Sequence, residues 1–179
     1  MKFWLGVAVT ALGVAFGAYY ATLYAVPYWE MRKAEAKIAA RAGGINVMFH
    51  APRPTAKSRV VVRPSPDQLY SVCIYDLSAG PIRFSGQIPD TYWSLSLFAQ
   101  NTDNFFVVND NEVDGPEYNF VLIRNGDRAP PDVAPANIIR SPTTRGIALV
   151  RVFIDDDAHV ASIDKIRRQG TCSVLTDKN

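Results

Sequence analysis

The sequence predicts a mainly β domain closed by one C-terminal helix and preceded by a single apolar helix long enough to cross a membrane. Three observations carry this. Phe3–Trp29 contains no charged residue. From Ile45 on, short apolar runs are separated by Pro, Gly, Asn and Asp, the pattern of successive strands and turns. Near the C-terminus that alternation gives way to a helical spacing.

The chain has 179 residues, enough for one domain and an appendage, and a formal net charge of +2. That charge is too small for a nucleic-acid surface, and no Lys/Arg run is interleaved with aromatics.

The N-terminal stretch exceeds the roughly 20 apolar residues a spanning helix needs. Trp4 stands near one end and Tyr24, Tyr28 and Trp29 near the other, where interfacial aromatics belong. A cleaved signal peptide would have a shorter apolar core and small residues at −3 and −1. Cleavage after Ala21 or Ala25 would put Tyr19 or Leu23 at −3, so an uncleaved anchor is expected. Residues 30–44 are rich in Ala, Lys, Glu and Arg, good helix formers with little apolar face. They are expected to continue the helix as a solvated stalk, ended by Gly43 and Gly44. The division is thus 1–43, anchor and juxtamembrane helix, and 44–179, β domain.

The strands are expected at 45–51, 59–63, 69–77, 81–88, 92–99, 104–110, 119–125, 137–141 and 146–154. The runs at 69–77 and 146–154 are apolar on both faces and should be central. In 92–99, Trp93, Leu95 and Leu97 alternate with Ser94 and Ser96, as on a half-buried strand. Val160, Ile163 and Ile166 form a narrow helical stripe, with Asp155–Asp157 as its cap and Gly170 as its stop. Residues 171–175 fit a short edge strand.

Three blocks, VVRPSPDQLYSVCIYDLSAGP, IPDTYWSLSLFAQNTDNF and SPTTRGIALVRVFIDDDAHVASIDKIRRQ, resemble the DUF1254 family over about residues 45–175. The matching positions are Arg63, Pro66, Asp67, Tyr70, Ser71, Asp76, Leu77 and Pro81, then Pro89, Tyr92 and Asn101, then Arg151. Ser65 and Thr91 stand where the family usually has Asn and Arg. The resemblance implies a jelly-roll-like β-sandwich in exported proteins, with no established reaction. It also implies pairing with a DUF1214 domain. The sequence in hand carries no such half, so a separate DUF1214 protein is the expected partner.

The chemistry-bearing residues are few. His50 and His159 are the two histidines, there is no G-x-S-x-G elbow, and no His or Cys pair has metal-ligand spacing. No catalytic residue, metal or cofactor is assigned, and a hydrolytic enzyme is the weakest reading. Arg151 stands among apolar strand residues, and a charge there should be paired, with Asp67 or Asp76. The competing reading puts Arg63, Asp67, Tyr70 and Arg151 around an anionic or sugar-like ligand. Cys73 and Cys172 fit one bridge in an oxidising compartment, although two buried thiols would leave the same sequence.

Sidedness is contested within the sequence. Lys2 precedes the span, whereas Arg32, Lys33, Lys37 and Arg41 follow it, which favours a cytoplasmic domain. Long domains translocate largely regardless of charge, and the family's exported habit agrees. The expectation is therefore a bacterial inner-membrane protein with a periplasmic domain.

Overall fold

A computed structural model describes residues 1–55, 57–58 and 64–175. The strand expected at 59–63, and with it Arg63, falls outside the described residues.

Helix α1 runs unbroken over Lys2–Ala42 and ends where Gly43 turns left-handed at φ 76°. Its most apolar window is wholly exposed, so it is no core helix, and it is long and apolar enough to cross a membrane. The expected solvated stalk is not formed. Met31, Glu35, Ile38 and Ala42 recur at spacings of three and four on one face. Met31 and Glu35 on that face are only 5% and 8% exposed. They dock α1 against strands β1 (Met48–His50), β2 (Gln68–Asp76) and β8 (Arg145–Phe153).

Two sheets follow. The first has the order β1-β2-β8-β4-β5, with β4 at Trp93–Ala99 and β5 at Asn104–Asn109, antiparallel throughout. The second has the order β7-β6-β3-β9. It contains β3 (Ile82–Gln87), β6 (Glu117–Arg124), β7 (Ile138–Ser141) and β9 (Thr171–Val174). The chain passes repeatedly between the sheets, from β2 to β3 to β4 and from β8 to β9, which makes the sandwich jelly-roll-like.

Strand alternation turns one side of each strand inward. Leu69, Cys73 and Tyr75, Trp93, Leu95 and Leu97, and Ala148, Val150 and Val152 meet Ile82, Phe84, Tyr118, Phe120 and Leu122 in one core. Across it, Trp93 stacks on Tyr118 with ring centroids 4.7 Å apart, and Phe106 meets Phe120 at 5.8 Å. Gly146 is required by a close approach. Tyr75 Oη donates to the Phe98 carbonyl at 3.0 Å, and a Cβ on Gly146 would collide with both groups.

β6 and β7 are parallel, so residues 125–137 must make a crossover. Val121 and Ile123, of opposite parity to the core-facing residues of β6, are nonetheless 1% exposed. β4 also departs from expectation. Ser94 and Ser96 are fully buried rather than solvated.

The C-terminal helix is short. Asp156 caps a 3-10 turn at Asp157–His159 by accepting from the Ala158 N–H, and α2 follows over Val160–Arg167.

Candidate functional site

The outer face of the five-stranded sheet holds two of the four expected ligand residues, Tyr70 and Arg151. Antiparallel register places Tyr70 of β2 opposite Arg151 of β8, and Arg151 opposite Ser94 of β4. Arg151 is half-buried and donates from Nη2 to Ser96 Oγ at 2.8 Å. Its Nε and the neighbouring Ser94 Oγ are buried without a hydrogen-bond partner. Tyr70 Oη accepts from the Ser65 N–H at 3.0 Å and donates to Gln68 Oε1 at 3.1 Å, so it turns away from Arg151. Asp67 is exposed in the preceding turn, where its carbonyl accepts from the Ile154 N–H at 2.8 Å. Tyr70 and Arg151 are brought together, and Asp67 stays apart.

The expected pairing of Arg151 with Asp67 or Asp76 is not formed. Asp76 pairs instead with Arg145, Nε to Oδ2 at 2.8 Å. Register is the reason. β2 and β8 put Asp76 opposite Arg145, six residues from Arg151, about 20 Å along the strand at 3.4 Å per residue. Burial works to raise the Asp76 carboxyl, but hydrogen bonds from Ser78 and the Arg145 guanidinium outweigh it and hold it below the ordinary range.

This pair belongs to the junction with α1. Asn46 clasps the Asp76 backbone, accepting from its N–H at 2.7 Å and donating to its carbonyl at 3.1 Å. Glu35 lies within electrostatic reach of Arg145, Arg32 and Asp76. Burial pushes its carboxyl up despite the two arginines, and one of its oxygens has no partner.

A second polar cluster escaped the sequence reading. Arg167, with a side chain 1% exposed, reaches from α2 to the flank formed by β1 and β2. Its Nη1 donates to the Tyr70 carbonyl and to Ser71 Oγ, the latter at 3.0 Å. Its Nη2 donates to the Ala51 carbonyl at 3.0 Å. Asp164 accepts from Nε at 2.8 Å and from Nη2. Burial works to raise the Asp164 carboxyl, but Arg168 and Arg167 together hold it below the usual range. In the sequence, Asp164 and Arg167 look like an ordinary surface pair one turn apart. The partners that bury Arg167 lie 96 to 116 residues away.

His50 completes this cluster, with Nδ1 2.8 Å from Ser71 Oγ. Burial, then the charges of Arg167 and Arg168, hold the imidazole below its ordinary value. Because Ser71 accepts from Arg167, its proton goes to a neutral His50. This is no hydrolytic dyad. Ser71 is 2% exposed, and Asp164 is spent on the arginines rather than on the imidazole. His159 is exposed and meets Asp155 at 3.3 Å. Among the described residues, no three His, Cys, Asp or Glu side chains are grouped to hold a metal.

Beside this cluster, Cys73 of β2 and Cys172 of β9 are joined as a disulfide, with Cα atoms 6.4 Å apart and a sequence separation of 99. The bond links the two sheets. In the chain-entropy model, closing a loop of that length contributes about 4–5 kcal/mol.

The fold and its surfaces thus define a two-sheet sandwich on a long apolar helix, with no assembled catalytic centre among the described residues. Residues 45–173 match the family model described as "Protein of unknown function (DUF1254)", and the chain belongs to that family. No curated protein matches it. Two solved structures share the fold. One is the VPA0106 protein from Vibrio parahaemolyticus, at TM-score 0.61 and 15% identity, over 87% of this chain and 37% of that one. The other is an uncharacterized protein from Burkholderia cenocepacia, at TM-score 0.52 and 15% identity, over 85% of this chain and 42% of that one. The chain therefore spans about two fifths of the length of these relatives.

Proposed function

We propose that this protein is a bacterial single-pass inner-membrane protein whose sandwich binds a partner protein in the cell envelope. One observation carries the reading. Tyr92 and Phe153 are 46% and 40% exposed, and the Phe153 N–H donating to the Tyr92 carbonyl sets them side by side at the end of the face that holds Arg151. Monomeric surfaces seldom gather large apolar side chains this way, and aromatic and Arg residues dominate binding hot spots. Half-buried Arg151, held by a single hydrogen bond to Ser96, stands on the same face. The family resemblance names a DUF1214 protein as that partner, and the greater length of the structural relatives leaves room for such a half.

The disulfide supports a periplasmic domain, because such bonds persist in oxidising compartments. It is set against the Lys/Arg count after the span, which governs short loops more than folded domains. A second reading uses the same face. There Arg151 and Tyr70, with Asp67 and Arg63 nearby in sequence, hold a small anionic ligand.

The test is retention of a DUF1214 protein by the full chain, extracted from membranes in mild detergent. Wild type should retain it, and Phe153→Asp with Tyr92→Ala should lose it at an unchanged melting temperature. Equal retention by both proteins, or by neither, would overturn the reading.

A further inference from the structure

The docking of α1 fixes how the sandwich meets the bilayer. Just past Ala42, Asn46 holds the end of β2 at Asp76. Two turns back, the buried Glu35 lies near Arg145, at the start of β8, and α1 packs against β1, β2 and β8. The helix therefore passes β2, then β8, on a line toward β4 and β5, the order in which the strands lie in the sheet. The helix is long enough for this. From Tyr28 to Ala42 it rises about 21 Å at 1.5 Å per residue. The three strand spacings from β2 to β5 cover only about 14 Å at 4.8 Å each. The helix runs across the strand ends, so the strands lie crosswise to it.

We propose that the edge of β5, which no strand covers among the described residues, rests on the bilayer surface, with Val107 entering the headgroup layer and β1 on the side facing away. This rests on the reading of α1 as a membrane span. Trp29, with Lys33 above its ring, ends the uncharged stretch one residue past Tyr28. The span thus leaves the bilayer beside β5. An edge strand has unpaired backbone N–H and C=O groups, a template for aggregation unless something covers it. Polar headgroups can hydrogen-bond those groups while the half-exposed Val107 side chain leaves water. Asp103, Asp110 and Glu112 flank the strand, so the contact is not driven by anionic lipid.

The test uses the full chain in phosphatidylcholine vesicles, with and without phosphatidylglycerol, its disulfide intact. Val107→Cys, Val47→Cys and Phe16→Cys each carry an environment-sensitive fluorophore, and the lipids carry spin-label quenchers in the headgroup or deep in the chain. The label at 107 should shift to the blue and lose emission to headgroup quenchers at both compositions. The label at 47, beside β1, should do neither, and the label at 16 should be quenched by the deep-chain lipid. Equal quenching at 107 and 47, or none at 107 while 16 is quenched, overturns the placement alone. No deep quenching at 16 overturns the span, and the placement with it.

Discussion

Arg151 and Arg167 are both drawn out of water against the five-stranded sheet, but their surroundings differ. Arg167 bonds Asp164, Ser71 and two carbonyls, and its charge is balanced within one turn of helix. Arg151 bonds one serine and leaves Nε unmet. A buried guanidinium with its donors matched ties elements together. One held by a single serine, beside exposed Tyr92 and Phe153, ties little together. The flank of β1 and β2 is thus built for stability, and the outer face is where the proposed contact would form.

The comparison is easiest to break at Arg167. Arg167→Leu should cost about 3–5 kcal/mol in urea unfolding, because Ser71 and two carbonyls lose their donor and Asp164 its closest partner. Arg167→Lys should recover less than half of that loss, since an ammonium lacks the planar fork. A cost below 1 kcal/mol would erase the distinction between the two arginines.

The bridge on the same flank comes next. Replacing Cys73 and Cys172 together by Ser should cost about 2–4 kcal/mol, measured by urea unfolding against the oxidised protein. An unchanged midpoint would show that the charge network alone holds this flank.

At Arg151 the expected effect on stability is smaller. Arg151→Met removes one hydrogen bond and should cost about 1 kcal/mol or less. Partner retention should nevertheless fall. A loss as large as that of Arg167→Leu would place Arg151 among the structural ties.

The smallest effect is a pH dependence. The folded state holds His50 below its ordinary value of 6.5, so it favours the neutral ring. That contribution is complete above 6.5 and is lost as pH falls through the lowered folded value. His50→Gln should flatten the fall in the unfolding midpoint over this window, and an unaltered slope would remove His50 from the balance.

Much of the fold was legible because periods of two, bounded by turn residues, leave little choice of strand. β2, β4 and β8 are found within a residue of where the apolar runs put them. Helix α1 was legible as an uncharged run, but its docking was not, since Glu35 reads as a solvated residue. The ion pair was misassigned for a one-residue reason. In the sequence the β8 run begins at Gly146, which leaves Arg145 outside the strand, yet register pairs Arg145 with Asp76. The Arg167 network was hidden because its meaning depends on chain segments about a hundred residues earlier. No local spacing announces them.

The bridge between Cys73 and Cys172 also governs what a cut in the backbone would do. Both cysteines lie beyond α1, so a protease nicking any loop between them would produce two fragments still joined covalently to each other and to the same apolar helix. Such a nicked molecule would run as one band without reductant and two with it. Damage to the crossover at 125–137 would release nothing, and the injured domain would stay on its tether.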